Sequence, residues 1–245
     1  MITNPELQLM RLMESLNFSP QSTAQHAPPV RALTIFSLLC VSLGLIRTLA
    51  TGKSMLMWLD WNLLLAWMPL FFALAFRHTL GTPETSTAAN RTRLLTALAF
   101  GWLLFLPNAP YLVTDFVHFK PRDPVPVWFD ILLFMSFAWT GLALGFLSLR
   151  LLQKEVACRW GRWSARWFVV ASLILCSFGV YIGRVGRWNS WDVVVHPLDL
   201  TDWCARSFLP GQFLETLAFC GPMFLFLLAV HSTLHCMALG TSRPV

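Results

Sequence analysis

Charged residues are scarce in this chain of 245 residues. They make up 12% of the sequence and apolar residues 56%, whereas a soluble domain carries about 25% charged residues. Several apolar runs approach the roughly 20 residues that cross the core of a bilayer, and no polar linker is long enough to separate two domains. The composition excludes an ordinary soluble protein and predicts a single transmembrane domain over residues 31–240.

The sequence also lacks the short motifs of common enzymes and cofactor sites. It contains no G-x-S-x-G, no H-E-x-x-H and no P-loop, and its six cysteines form no C-x-x-C pair. We therefore expect no cofactor. The basic residues behind the net charge of +6 are scattered in short loops, which argues against nucleic acid as a partner and favours membrane lipids.

Residues 1–30 are polar and lack the charged-then-apolar layout of a cleaved signal peptide. Apolar side chains within Pro5–Phe18 share one helical face, a pattern typical of a helix that lies on the membrane surface. The alternative is a polar tail without regular structure.

The apolar runs predict an all-α bundle with about six membrane crossings. The six predicted segments are Ala32–Ala50, Met55–Phe76, Leu94–Phe119, Trp128–Leu152, Ala165–Ile182 and Phe213–Met237. Two polar stretches, 77–93 and 150–166, are predicted to be loops between them. Because proline removes a helical hydrogen bond, we expect the third crossing to be broken into two pieces at Pro107–Pro110.

Small residues repeat at a spacing of four in the fourth and fifth segments. The pairs are Gly141 with Gly145, and Gly179 with Gly183. Such a stripe lets neighbouring helices approach closely in a membrane, so it predicts close packing along these faces.

The basic residues are divided unequally between the two ends of the predicted bundle. Eleven lie at the end that holds both termini: Arg11, Arg31, Arg77, Arg91, Arg93, Arg150, Lys154, Arg159, Arg162, Arg166 and Arg243. Seven lie at the other end: Arg47, Lys53, Lys120, Arg122, Arg184, Arg187 and Arg206. Cytoplasmic loops carry the excess of basic residues, so we expect both termini in the cytoplasm.

Two polar blocks interrupt the apolar segments, and this topology predicts both at the outer end. They are P-N-A-P-Y-L-V-T-D-F-V-H over 107–118 and G-R-V-G-R-W-N-S-W-D over 183–192. Ionisable groups at membrane depth are costly unless they are paired or hydrated, which makes them site candidates. The candidate outer-face site comprises Asn108, Tyr111, Thr114, Asp115, His118, Asp130, Arg184, Arg187, Trp188, Asn189, Trp191 and Asp192.

The pattern P-N-A-P-Y-x-x-T-D-x-x-H followed by G-R-x-x-R-W-N-S-W-D resembles a family of bacterial multi-pass membrane proteins, the domain of unknown function 1361. The resemblance runs from about Trp58 to Asp202 and includes Trp61-Asn62 and Trp128-Phe129-Asp130. It implies a polytopic protein of the bacterial cytoplasmic membrane, with no assigned reaction or ligand.

The first block contains a carboxylate and an imidazole on one helical face. Asp115 and His118 are three residues apart and could bind a divalent metal ion or share a proton. Asp192 and His196 could complete such a metal site, although the spacing is only a weak signal. The alternative is that Asp115 pairs with an arginine of the second block and that His118 caps its helix end.

The second block contains two arginines that are three residues apart. Two guanidinium groups on one face suit a phosphate or carboxylate, and a lipid phosphate at the outer headgroup level is the obvious candidate. The alternative is that Arg184 and Arg187 lie at the interface and form salt bridges to Asp115 and Asp192. The tryptophans of this block could anchor the chain at the interface or stack on a sugar or isoprenoid.

Three functions remain open at this point. The first is a binding or accessory membrane protein whose polar cluster is structural or holds a lipid or a partner membrane protein. The second is an enzyme that acts on a phosphate-bearing or polyprenyl-linked lipid at the outer leaflet. The third is a small transporter. Because the sequence lacks both enzyme motifs and an internal repeat, we favour the first.

Overall fold

A computed structural model of the chain describes residues 27–52, 57–82, 87–119 and 125–240. The surface helix predicted within Pro5–Phe18 lies outside the described residues. The helices are α1 Ala27–Thr51, α2 Met57–Gly81, α3 Ala88–Phe105, α4 Asn108–Thr114, α5 Val127–Arg184, α6 Asp192–Val195, α7 Pro197–Arg206 and α8 Pro210–Gly240. A 3-10 turn, Asp115–His118, follows α4. The described residues contain no strand, so the all-α prediction is confirmed.

Five helical stretches in the described part of the chain are long and apolar enough to cross a membrane. They are Pro29–Thr51, Met57–Gly81, Ala88–His118, Val127–Arg184 and Pro210–Met237. With a mean hydropathy of +0.59 for the whole sequence, these helices define an integral membrane protein built as a helical bundle.

The longest helix, α5, folds back on itself. Its 58 residues would extend roughly 87 Å if straight, far more than the ~30 Å core of a bilayer. Gly161 interrupts it with φ 84° and ψ 172°, a conformation that favours glycine. Trp102 contacts both sides of this turn, since its indole donates to Ser148 Oγ at 3.1 Å and its ring stacks on Phe168 at 5.5 Å. The six predicted segments are therefore all present, with the fourth and fifth as a first arm (127–160) and a second arm (162–184).

The predicted loop over residues 150–166 is wrong, because helix continues on both sides of Gly161. This stretch contains four arginines, two leucines and two alanines, which all favour helix, so its charge indicates a membrane boundary and not a helix end. The predicted loop over 77–93 is likewise too long, since α2 continues to Gly81 and α3 begins at Ala88. Arg91 donates to the carbonyls of Thr79 and Leu80 at 3.3 and 2.9 Å and so caps the end of α2.

The third membrane segment is broken where the prolines predict. α3 ends at Phe105 and α4 begins at Asn108. Pro107 is the N-cap of α4 and Pro110 lies in its first turn, where a missing N–H forfeits no helical hydrogen bond. The Asn108 side chain donates to the carbonyl of Phe105 at 3.1 Å. It thereby satisfies a backbone group freed at the break, as a lipid environment requires.

The two arms of α5 form a helical hairpin, and small residues of this hairpin pack directly against the break. A Cβ at Gly141 would lie 2.3 Å from the carbonyl oxygen of Ala109, and one at Gly179 would lie 2.3 Å from Pro107 Cγ. One glycine belongs to the first arm and the other to the second. The predicted close packing is confirmed, and α4 is held between the two arms.

Candidate functional site

The two polar blocks meet around a cavity of about 560 Å³ at one end of the bundle. Its walls come from α2, the end of α3, α4 with its 3-10 turn, the end of α5 and the segment that follows. The lining residues are Trp61, Asn62, Leu65, Leu104, Pro107, Asn108, Tyr111, Val117, His118, Gly179, Ile182, Gly183, Arg184, Arg187, Trp188, Asn189, Ser190, Val193 and Leu200. Within the described part of the chain, no acidic side chain lines this cavity.

A buried ion pair lies behind the wall of the cavity. Arg184, the last residue of α5, donates from Nη2 to Oδ1 of Asp115. The other carboxylate oxygen accepts a hydrogen bond from Asn62 Nδ2 at 3.0 Å. Asp115 is 1% exposed, so its charge is compensated by these contacts and not by water. Of the two arginines that could pair with Asp115, the structure selects Arg184.

Arg184 also holds most of the first block in place. It donates to Thr114 Oγ1 at 2.9 and 2.7 Å and to His118 Nε2 at 3.0 Å, and its guanidinium lies 4.2 Å from the centre of the Tyr111 ring. Because arginine carries only donors, Nε2 of His118 must accept, which leaves the ring proton on Nδ1. One guanidinium group therefore joins the end of α5 to α4 and its 3-10 turn.

Arg187 has a different environment, although it lines the same cavity. It is exposed and forms no hydrogen bond or ion pair with any residue of the described ranges. Its φ of 58° is the only positive value among the described non-glycine residues, and this conformation costs on the order of 1 kcal/mol or more. The preceding Gly186 has no room for a Cβ, which would lie 2.7 Å from the Ile182 carbonyl.

Trp188, which also lines the cavity, has a donor without an acceptor. Its Nε1 is buried and has no hydrogen-bond partner among the described residues. Since Arg184 is neutralised by Asp115 and Arg187 is not neutralised, the lining carries a net positive charge. Such a lining complements an anion that can accept several hydrogen bonds.

The segment that follows α5 and includes α6 and α7 contacts the broken third membrane segment, α3–α4, and α2. Asn108 donates to Ser190 Oγ at 2.9 Å, and Trp191 packs edge-on against Trp61 with ring centres 6.3 Å apart. Farther along, Trp203 of α7 packs on Tyr181 of the second arm at 5.5 Å. These contacts hold the segment over the cavity, to which it contributes Val193 and Leu200.

Asp130 does not belong to the cavity. It forms a bidentate pair with Arg47, with Nε–Oδ1 and Nη2–Oδ2 distances of 2.5 and 2.9 Å, and the two residues are 1% and 5% exposed. Arg47, which the sequence analysis counts among the basic residues of the outer end, lies in the last turns of α1 and is engaged in this pair. Burial explains the pairing, since charges at membrane depth are stabilised mainly by one another.

The predicted contact of the acidic residue of the second block with the arginines is also absent. Asp192 Oδ2 instead accepts from the backbone N–H of Asn189 at 2.6 Å, which stabilises the turn before α6. His196 lies 3.9 Å from Asp199 in an exposed position. The weak metal candidates Asp115, His118, Asp192 and His196 are not brought together. No group of three or more potential metal ligands occurs among the described residues.

Sequence reasoning missed three contributors to this site. Asn62 binds Asp115, Ser190 binds Asn108, and Trp61 packs on the segment above the cavity. A polar amide at the start of an apolar helix is a signal that could have identified Asn62, because such a group needs a partner inside the protein. Ser190 and Trp61 are marked only as parts of the family pattern, which assigns them no contact.

Helical spans with a polar cavity at one end define a polytopic integral membrane protein. The family described as "Protein of unknown function (DUF1361)" matches residues 61–230, which is more than half of the chain and includes both polar blocks. The chain belongs to this family, in agreement with the resemblance of its motifs. Comparison with curated proteins and with solved structures finds no match.

Proposed function

We propose that the protein binds a phosphate-bearing lipid in the cavity formed by the two polar blocks. The observation that carries the proposal is Arg187, a cation without a partner among the described residues that lines a cavity without acidic side chains. A phosphate accepts several charge-assisted hydrogen bonds at once. The cavity offers such donors from Arg187 and from the side chain of Asn189, whereas both side-chain N–H groups of Asn108 are already engaged by Phe105 and Ser190.

The apolar part of the lining supports a lipid as the source of this phosphate. Leu65, Leu104, Ile182 and Val193 line the same cavity as Arg187, and they belong to or adjoin membrane-spanning helices. A free phosphate ion would leave these side chains without a partner. A lipid can place its headgroup beside the arginine while its chains contact the apolar wall.

Lipid binding is better supported than an enzymatic reaction on the lipid. Both carboxylate oxygens of Asp115 are engaged by Arg184 and Asn62, and Nε2 of His118 accepts from Arg184. A general base must reach the proton that it removes, and these atoms are already occupied. The two residues that an enzyme of this kind would use therefore act here to position Arg184.

We also infer that the cavity faces away from the cytoplasm in a cell membrane. The support is the eleven-to-seven division of basic residues. Two of the seven, Arg47 and Arg184, and one of the eleven, Arg77, are engaged in ion pairs within the bundle, so the excess of basic residues at the hairpin end does not depend on these pairs. The hairpin turn at Gly161 lies at the opposite end, beside Arg159 and Arg162.

Lipid titration of the full-length protein in a neutral detergent tests this proposal. Native mass spectrometry would count bound phosphatidic acid, phosphatidylcholine and inorganic phosphate. We expect phosphatidic acid to bind and Arg187→Gln to weaken it about tenfold to a hundredfold, because a hydrogen bond to a charged group contributes ~1.5–3 kcal/mol. Arg206→Gln is the matched control, since Arg206 is exposed at the same end but does not line the cavity.

The outcomes separate the competing functions. Equal binding by Arg187→Gln and wild type would contradict the proposal and leave the cluster a structural role. Binding of inorganic phosphate as strong as that of phosphatidic acid would contradict a lipid as the ligand. Release of the lipid headgroup during incubation, absent in His118→Ala, would establish the enzyme instead.

A further inference from the structure

A second cavity of about 500 Å³ lies at the opposite end of the bundle, beside the turn of the hairpin. It is lined by the last part of α2, by α3 over residues 96–103 and by both arms of α5. We propose that this groove holds one acyl chain of an anionic phospholipid whose phosphate is bound by Arg159. The site is independent of the cavity described above and does not require that the proposed function be correct.

The lining of the groove is suited to a hydrocarbon chain. Its floor is the stacked pair of Trp102 and Phe168, and the indole N–H of Trp102 is already satisfied by Ser148. The walls include Leu103 and Leu175. The floor therefore offers no unsatisfied donor, and Thr96 and Ser172 supply two hydroxyl groups to walls that are otherwise mainly apolar.

The groove is shorter than the core of the bilayer. Along the first arm its lining runs from Leu152 to Trp160, eight positions or roughly 12 Å. Along the second arm it extends to Leu175, fourteen positions beyond Gly161 or roughly 21 Å. Both lengths are less than the ~30 Å core, so a chain that enters from the headgroup level at Trp160 would end inside the membrane.

The charge at the mouth favours an anionic headgroup. Arg159 lines the groove and has no hydrogen bond or ion pair with the described residues. Glu155 also lines the groove, but it accepts from Arg77 Nε at 2.9 Å, so its charge is compensated. Trp160 is 66% exposed, as is typical of an indole at the membrane interface. The positive charge of Arg159 therefore remains uncompensated. It complements the phosphate of a lipid whose headgroup carries no ammonium group.

The test compares lipids and variants in the Arg187→Gln protein, in which any lipid binding by the first cavity is weakened and is the same for every variant of the groove. The delipidated protein is titrated with phosphatidylglycerol or phosphatidylcholine, and bound lipid is counted by native mass spectrometry. We expect one phosphatidylglycerol to bind at least fivefold more tightly than phosphatidylcholine. Ala99→Trp, which fills the groove, should abolish binding of both lipids, whereas Arg159→Gln should abolish only the preference.

Two matched controls lie outside the groove. Leu132→Trp introduces the same side chain at an exposed position of the first arm, and Arg162→Gln removes a neighbouring exposed cation. Both variants should bind as the parent protein does. An equal loss in Arg162→Gln and Arg159→Gln would overturn the proposal in favour of general surface charge, and unchanged binding in Ala99→Trp would exclude the groove.

A second measurement needs no variant and is insensitive to misfolding. Phosphatidylglycerol with a photoreactive diazirine in its acyl chain is cross-linked to the wild-type protein, and the modified peptides are mapped. We expect labels within 96–103 and 168–175, which face the groove. Labels that spread evenly over the exposed residues of α8 instead would overturn the proposal.

Discussion

The two almost fully buried carboxylates at the cavity end of this protein each depend on one particular arginine. Asp130 is bound by Arg47, and Asp115 is bound by Arg184 with help from Asn62. Arg187, only three positions from Arg184, is exposed and unpaired within the described residues. Two arginines of one motif therefore have separate roles, the first in holding the fold together and the second in facing the cavity.

Removal of Arg184 should destabilise the protein strongly. Arg184→Gln leaves the Asp115 carboxylate buried at 1% exposure without a cation, and breaking a buried pair in this way costs about 3–5 kcal/mol. Chemical unfolding in detergent would measure the loss. Arg187→Gln should change the free energy of unfolding by only about 0.5 kcal/mol or less, because exposed positions without contacts tolerate substitution.

A double-mutant cycle decides whether the pair itself is responsible. Asp115→Asn combined with Arg184→Gln should be less destabilised than the sum of the two single variants, because the second change removes the uncompensated charge left by the first. Additive losses would contradict the ion pair. Strong coupling between Asp115 and Arg187 would mean that the wrong arginine has been assigned to the fold.

At the level of the helices, the interrupted segment α3–α4 is placed by close contact with the hairpin. α4 lies between Gly141 of the first arm and Gly179 of the second, at distances that leave no room for a methyl group. The polar residues Thr114 and Asp115 follow directly after this contact. The glycines therefore determine how near the first block can come to Arg184.

Gly179→Ala should consequently destabilise the protein by about 1–3 kcal/mol, the usual cost of overpacking. Its new Cβ would lie 2.3 Å from Pro107 Cγ, and the proline ring cannot rotate away. Gly221→Ala is the matched control, because it is also helical but has no atom within 4 Å of the added carbon. Unfolding in detergent compares the two, and equal stabilities would show that α4 can move away from the second arm.

The whole molecule has two chemically different ends. One end holds the cavity and all six aspartates within the described ranges, at positions 60, 115, 130, 192, 199 and 202. The other holds the turn of α5 with Arg159, Arg162 and the exposed Trp160 and Trp163. This asymmetry leads to a prediction about orientation.

Accessibility of thiols to an impermeant maleimide applied to intact cells measures the orientation. Cys158 and Cys236 are exposed at the hairpin end and should react only after permeabilisation. Burial raises the pKa of the Cys204 thiol, which slows its reaction, and Cys204→Ser removes this background. Asp199→Cys, whose parent side chain is 73% exposed, should then react from outside. Labelling of Cys158 in intact cells would reverse the orientation and place the cavity in the cytoplasm.

Much of this architecture was predictable because the signals are local. Each of these signals depends on a single helix and the lipid around it. They are the six apolar runs, the break at Pro107–Pro110 and the spacing of the small residues. Even there, the charged stretch 150–166 was mistaken for a loop, since the only residue that leaves the helical conformation is Gly161. A basic composition indicates a membrane boundary, but it does not reveal whether the backbone stops being helical.

The sequence by itself determined that two polar blocks had to find partners inside a membrane, because isolated charges are too costly there. Only the tertiary structure decided which partners they found. Asp115 and Arg184 are 69 positions apart, and Arg47 and Asp130 are 83 apart. Such pairings depend on how the helices pack and rotate against each other, which no local pattern encodes. The same packing excluded Asp192 from the cluster and left Arg187 in the cavity without a partner among the described residues.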